Sequence, residues 1–334
     1  MEYSAPCEPT VFPPLDAAAI ILTGSTASGK SRIALSLAEK IDAEIISLDS
    51  IAVYCGMDIG SAKPSLADRA RVPHHLIDVV SPTAEFSAAQ YLAIAKSCVD
   101  DILSRGKRPL FVGGTPMYLK GLLYGFDPGP PADWDFRRSV EEDIRSFGIE
   151  ALHKRLQQVD PLSAHRLPPT DTRRITRALE VAYLTGTPLS HRQTQHDVAS
   201  SRAKSMLFAI SWPRELLHAR IEKRVAQIFG AGLIQEVAGL LELHGTFSRT
   251  ASIGVGYREV IEHLQKGTTL ESTFQQVLFH TRQLARRQET WFRSLPTLRS
   301  IKVDSDEALE QATIQILMEM KKACPVEGTL LDFR

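Results

Sequence analysis

The chain has 334 residues, with 39 Lys and Arg against 39 Asp and Glu and 43% apolar residues. That length buries a sizeable core in a main domain plus an insertion or second domain, and no apolar run is long enough to span a membrane. Zero formal charge argues against a protein that coats nucleic acid generally, while leaving room for local basic patches.

Residues 1–15 carry Glu2, Glu8, Pro13 and Pro14. They lack the basic start and apolar stretch of a secretion signal and the arginines of an organelle transit peptide, and read as a flexible leader. Residues 19–23 form an apolar run with strand character, and residues 32–40 have helical spacing. Between them, Gly24-Ser25-Thr26-Ala27-Ser28-Gly29-Lys30-Ser31 fits Gly-x-x-x-x-Gly-Lys-Ser/Thr at every fixed position. A strand before it and a helix after it are the context of a phosphate-binding loop. Its glycines let backbone N–H groups converge on an anion, and the positive end of the next helix faces the same anion. Lys30 adds a full charge, and Ser31 can ligate magnesium. A di- or triphosphate is the expected ligand.

Residues 43–50 read as a second strand with Asp49 near its end, residues 75–80 as a third, and residues 87–103 as a helix. Residues 109–115 are strand-like and close on Gly113-Gly114-Thr115. Strands separated by helices predict an α/β fold, a parallel sheet with helices on both faces. Ligands of such sheets sit beyond the carboxyl ends of the strands, so Ser31, Asp49 and Thr115 can face one cleft. Near Phe126 the pattern changes. Asp127-Pro128-Gly129-Pro130-Pro131-Ala132-Asp133 is hinge-like. Residues 134–184 look helical, with breaks at Pro161 and Pro168-Pro169, and a polar stretch over 190–204 leads into a strand at 206–212. This predicts a helical insertion, 127–203, between two parts of one sheet domain, 16–126 and 204–334. The chain is then mostly helical to Phe292, with a short strand at 298–303 and a final helix. Cys7, Cys55, Cys98 and Cys324 are scattered without Cys-x-x-Cys spacing, which predicts free thiols in a reducing, cytoplasmic compartment.

Several residues carry possible chemistry. A carboxylate at Asp49 can bind magnesium or accept a proton, or equally cap a turn. Gly113-Gly114-Thr115 is either a close approach to a ligand or a plain strand-to-helix turn. His74 and His75 do not read as a metal pair, because neighbours on a strand point to opposite faces. From Arg202 to Arg293 the sequence has thirteen Lys and Arg against eight Glu. Within it, Arg282, Arg286 and Arg293 fall near one helix face, where they form either a phosphate-binding strip or a solvated surface. Arg173-Arg174-Ile175-Thr176-Arg177, with Arg166 nearby, is a second basic cluster.

Taken in order, these segments resemble the tRNA dimethylallyltransferase family, over residues 20–293. The resemblance rests on the glycine loop, on Asp49-Ser50 with Tyr54, and on Gly56-Met57-Asp58-Ile59-Gly60-Ser61-Ala62-Lys63-Pro64. Pro73-His74-His75-Leu76-Ile77-Asp78 and Val112-Gly113-Gly114-Thr115 with Tyr118 follow. Arg177-Ala178-Leu179-Glu180-Val181, Val255-Gly256-Tyr257-Arg258-Glu259 and Thr281-Arg282-Gln283-Leu284-Ala285-Arg286-Arg287-Gln288 complete it. The glycine loop alone fits many families; the ordered set is specific.

The resemblance implies a P-loop NTPase-like core that binds dimethylallyl diphosphate through Gly24, Ser25, Thr26, Ala27, Ser28, Gly29, Lys30 and Ser31, with Arg258 as a second cation. It implies Mg2+ on Ser31, Asp49 as the base that takes a proton from the exocyclic amine of adenine, and Thr115 beside the reacting centre. The target is the adenosine 3′-adjacent to the anticodon of tRNA, held by the anticodon stem-loop. The residues implied to face the RNA are Asp49, Ser50, Ile51, Ala52 and Thr115; Arg137, Arg173, Arg174, Ile175, Thr176 and Arg177 in the insertion; and Arg286, Arg287, Gln288 and Arg293. A monomer away from membranes, of the shorter bacterial type without a zinc finger, is expected. Two positions depart from the family. Ile253 replaces an arginine common in bacterial members, and Arg286 stands where lysine is common.

Overall fold

The computed structural model describes residues 11–15, 19–192 and 206–323. The first ten residues, Cys7, Cys324 and most of the polar stretch at 190–204 lie outside them. The chain divides into two compact units, Met1–Leu15 with Lys120–Ala203, and Asp16–Leu119 with Lys204–Arg334.

The second unit is built on six parallel strands: β1 (Ile20–Gly24), β2 (Ala43–Leu48), β3 (His74–His75), β4 (Arg108–Gly113), β5 (Met206–Ser211) and β6 (Arg299–Lys302). Their order is β3-β2-β4-β1-β5-β6. β1 pairs with β4 from Ile20↔Leu110 and with β5 from Ile20↔Met206, so the loop-bearing strand lies centrally. β1 and β2 are buried along their whole length, as strands covered on both faces must be. One face carries Ile20, Leu22, Ile45, Leu110, Val112, Phe208 and Ile210. They pack against α1 (Lys30–Ile41), α8 (Arg214–Gly230), α12 (Leu270–Arg293) and α13 (Asp306–Ala323). Ile21, Ile46 and Phe111 alternate with those side chains and are fully buried. α3 (Ala88–Ser104) lies against β2 and β4, and its Tyr91 hydroxyl donates to the Ser47 carbonyl at 2.8 Å.

The short α2 (Leu66–Arg71) precedes β3. Of the expected third strand, 75–80, only His75 lies in β3, with His74 before it, because Leu76 and Asp78 take positive φ of 60° and 57° and turn the chain out; Val80 makes an isolated bridge to Tyr54. The last strand matches its expected place within one residue at each end. α9 (Leu233–His244), α10 (Arg249–Ser252) and α11 (Tyr257–Lys266) fill the stretch between α8 and α12. No single described helix is long and apolar enough to cross a membrane.

α4 (Pro116–Tyr124) runs from one unit into the other. The other unit holds α5 (Trp134–Val159), α6 (Pro161–Arg166) and α7 (Thr172–Thr185) around Phe136, Val140, Leu156, Ile175 and Leu179. α5 is broken at Gly148 (φ 81°), a kink in addition to the expected breaks at the prolines. The leader differs from expectation in its last residues: Phe12 and Phe126 exchange backbone hydrogen bonds of 2.8 Å, and the Leu15 amide donates to the Leu122 carbonyl.

Candidate active site

The loop between β1 and α1 holds a strained backbone. Gly24 has φ 148°, Ala27 φ 63° and Gly29 φ 85°. A Cβ on Gly24 would meet Ser28 Oγ at 2.8 Å and the Ile210 carbonyl at 3.0 Å, so only glycine fits there. Three side chains from distant segments fix the loop. Trp212, just after β5, donates Nε1–H to the Ser28 carbonyl at 2.9 Å. Arg220 of α8 donates Nε–H to the Ala27 carbonyl at 3.0 Å and stacks on the Trp212 ring. Gln288 of α12 accepts the Thr26 amide at 2.9 Å through Oε1, while its Nε2 donates to the Gly114 carbonyl at 2.8 Å. The two glycine turns at the carboxyl ends of β1 and β4 are thereby tied together.

Lys30 and Arg224 line three adjoining cavities of about 950, 540 and 210 Å³. Burial and the neighbouring Arg224 hold the Lys30 amine down to about 8, against the pull of Asp49. Burial lowers Arg224 as well. Two cations forced this close call for an anion between them. The largest cavity adds Arg32, Arg220 and Lys223, a strongly basic wall. The smallest joins Asp49, Thr115 and Lys30 to an apolar side made by Val225, Ile228, Val255, Val277 and Leu284.

Asp49 stands just past β2, and its Oδ1 accepts the amides of Ile51 at 2.8 Å and Ala52 at 3.3 Å. Oδ2 has no hydrogen-bond partner among the described residues. The carboxylate therefore caps a turn with one oxygen and presents the other. Thr115 Oγ1 accepts the Ser50 amide at 3.1 Å, and the Thr115 amide donates to the Leu48 carbonyl. Thr115 is thus tied to Leu48 and Ser50, the residues on either side of Asp49. Ser31 shares one cavity with Asp49. Among the described residues no cluster of three or more His, Cys, Asp or Glu could hold a metal alone. A hydroxyl and a carboxylate with room for phosphate oxygens fit magnesium, which keeps its waters and binds largely through the substrate.

The IPP transferase family model matches residues 52–295, and the isopentenyl transferase model matches residues 17–78. A tRNA dimethylallyltransferase of Rhodopirellula baltica is 56% identical over 306 residues, 89% of this chain and 92% of its own. The chain belongs to the tRNA dimethylallyltransferase family. A second member, from Geobacter metallireducens, is 46% identical over 274 residues, covering 82% of this chain and 89% of its own. Among solved structures, the tRNA isopentenylpyrophosphate transferase of Bacillus halodurans superposes with TM-score 0.66 at 32% identity, covering 93% of this chain and 99% of its own. A eukaryotic dimethylallyltransferase acting on tRNA gives TM-score 0.75 at 25% identity, over 93% and 81%. The sheet is thus the P-loop NTPase-like core of these tRNA dimethylallyltransferases.

The residues that the family resemblance singled out do not all meet. Gly29, Lys30, Ser31, Asp49, Ser50 and Thr115 come together around the cavities. Arg258 lines none of them; its guanidinium pairs with Glu259 at 2.5 Å. The cation that shares the cavities with Lys30 is Arg224, which the sequence did not single out. Its signal was available: Arg220 and Arg224 share a helix face at i, i+4, on the helix that follows β5. Gln288 spends both ends of its amide on the glycine turns and is buried. Ile175 is fully buried in the insertion core and offers RNA no side chain. Arg137 and Arg177 both grip buried Glu180, and Arg177 also donates to the carbonyls of Pro128 and Pro130 in the linker. Arg173, Arg174, Arg286, Arg287 and Arg293 are exposed, as is Ile253.

Proposed function

We propose that this chain transfers a dimethylallyl group from dimethylallyl diphosphate to the exocyclic amine of the adenosine 3′-adjacent to the anticodon of tRNA, releasing pyrophosphate. The observation that carries the reading is the placing of Asp49 and Thr115 in one cavity with Lys30 and Arg224. A proton acceptor and a pair of cations stand there beside an apolar wall, the surroundings that a prenyl diphosphate and an amine need.

The diphosphate lies against the loop amides, Lys30 and Arg224, with Arg220 and Lys223 nearby. The adenine amine attacks C1 of the prenyl group as the C1–O bond breaks, and the electron pair of that bond leaves on the pyrophosphate. The N–H proton passes to Asp49 Oδ2, which restores a neutral amine. Preset positive charge where the leaving group gains negative charge lowers the barrier without reorganisation. Ser31, with Asp49 in the same cavity, would hold Mg2+, which would supply further charge neutralisation for the leaving group. The apolar side of the smallest cavity suits the prenyl tail and excludes water that would compete with the amine.

An adenine inside a tRNA loop must leave its stack to reach Asp49. The exposed arginines Arg173 and Arg174 of the insertion, with Thr176, and Arg286, Arg287 and Arg293 of α12 are the residues we assign to the RNA backbone. Arg137 and Arg177 act on RNA mainly by holding the insertion and linker in shape. The domains are read as a P-loop core, 16–126 with 204–334, and an RNA-contacting insertion, 127–203; the protein works as a monomer in the cytoplasm. Incubation with labelled dimethylallyl diphosphate and unmodified tRNA tests the assignment. Label on adenosine next to the anticodon is expected, and its absence with active tRNA overturns it. Label on free adenine nucleotides but not on tRNA would give the activity to a small-molecule prenyltransferase instead.

A further inference from the structure

One carboxylate outside the cavities holds their wall. Glu236 of α9 accepts the consecutive amides of Asp58 at 2.9 Å, Ile59 at 2.7 Å and Gly60 at 3.3 Å. Its Oε1 also accepts the Tyr257 hydroxyl at 2.7 Å. Three successive backbone N–H groups pointing at one point make an anion-binding concavity, which here is filled by the protein's own side chain. Tyr257 is fully buried, and its ring leaves Gly60 no room for a Cβ, which would lie 2.5 Å from Cε2. The loop's other side is pinned by Lys63, whose Nζ reaches the Tyr54 carbonyl, Asp58 and Asp78, each at 2.6 Å. Between the two anchors Ala62 takes φ 51°, a conformation that persists only where its surroundings impose it.

The loop so held lines the cavities. Ile59 and Ala62 line the basic cavity, and Gly60 and Ser61 line the one that contains Asp49 and Thr115. The Arg224 guanidinium donates to the Ser61 carbonyl at 3.4 Å. We propose that Glu236, oriented by the Tyr257 hydroxyl, is a positioning residue for prenyl-diphosphate binding: it fixes the 58–61 loop, whose Ser61 carbonyl aims Arg224 at the diphosphate. This rests on the reading that the cavity takes a diphosphate. Tyr257 suits the part, because burial and the adjacent Glu236 carboxylate raise its hydroxyl well above the ordinary tyrosine range and keep it a donor. The family's Gly60 and Tyr257 then belong to one device, since the glycine makes room for the ring that orients the carboxylate.

Glu236→Gln puts an amide NH2 among four donors, so the loop loses its anchor while volume is kept. Inorganic pyrophosphate binding by calorimetry and KM for dimethylallyl diphosphate should both weaken about tenfold in that variant. Tyr257→Phe should weaken them about threefold, and tRNA affinity should stay within about twofold in both. In the Arg224→Ala background Glu236→Gln should add nothing, because it acts through Arg224. A merely structural role predicts multiplied effects in the double variant. Pyrophosphate affinity within twofold of wild type in folded Glu236→Gln, or multiplication with Arg224→Ala, overturns the inference. Should Glu236→Gln not fold, Tyr257→Phe with and without Arg224→Ala decides in the same way. Wild-type protein that binds no pyrophosphate overturns the inference together with the placement of the diphosphate. Wild-type protein that binds it without prenylating tRNA overturns the functional reading alone.

Discussion

Asp49 divides its carboxylate, with Oδ1 on the amides of Ile51 and Ala52 and Oδ2 open. The two roles separate in Asp49→Asn, which keeps a carbonyl oxygen for the turn and cannot take a proton. Transfer in a preformed complex should fall roughly 10²–10⁴-fold, with binding of tRNA and dimethylallyl diphosphate unchanged. Single-turnover quench measurements check this, and a rate within threefold of wild type would remove Asp49 as the base. Lys30 gives a pH signature. Its amine is held down to about 8, and a diphosphate placed beside it as proposed would favour the charged form. KM for dimethylallyl diphosphate should therefore rise as pH climbs through about 8, and Lys30→Arg, which does not titrate there, should lose that dependence. A flat wild-type profile from pH 7 to 9 would contradict it. The place of the glycine loop, Asp49 and Thr115 just past strand ends was legible because each follows an apolar, strand-like run, while the chemistry of Asp49 and Thr115 came only with the family resemblance. Arg224 was harder to single out, since its i, i+4 pairing with Arg220 reads equally as a solvated helix face until β5 sets that helix beside the loop.

At the scale of elements, the site is held from behind by α8 and α12. Gln288 sits one bond from both glycine turns. Gln288→Ala leaves a Thr26 amide and a Gly114 carbonyl without their partner, at a cost of about 1–3 kcal/mol. Thermal melting should register that loss, and dimethylallyl diphosphate binding should weaken more than tRNA binding; the reverse order would return Gln288 to the RNA face. In the insertion, Arg177→Ala frees one side of buried Glu180 and releases the linker carbonyls. Stability should fall by about 1–3 kcal/mol, whereas the salt dependence of tRNA binding should keep its slope. Arg173→Ala should do the opposite, lowering the slope by about one phosphate contact with little change in melting. Pattern reading separates helices from strands here, yet it cannot tell a clamping arginine from a reaching one. Arg137, Arg173 and Arg177 look alike until Glu180 is found buried between two of them. The brevity of β3 was equally hidden, for nothing in Leu76 or Asp78 announces positive φ.

For the whole molecule, the end of the sheet away from the cleft carries its own electrostatics. Glu44, 2% exposed at the start of β2, is gripped by Arg105 and by His75. Hydrogen bonding to Arg105, working against burial, holds its carboxyl at about 2. A depressed carboxylate stabilises the fold at pH values above its unfolded range, and that contribution fades as pH falls from about 4.5 toward about 2. Denaturation midpoints should drop over this window, and less steeply in Glu44→Gln; identical slopes would assign acid sensitivity to other groups. The order β3-β2-β4-β1-β5-β6 has a further bearing on synthesis. β1 finds β4 early, but its other neighbour begins at Met206, after the insertion. At translation rates of about 5–20 residues per second, the central strand waits on the order of 5–20 seconds with one hydrogen-bonding edge open. A nascent chain halted inside the insertion thus exposes a ready template for foreign strands, and chaperone capture should concentrate on that interval.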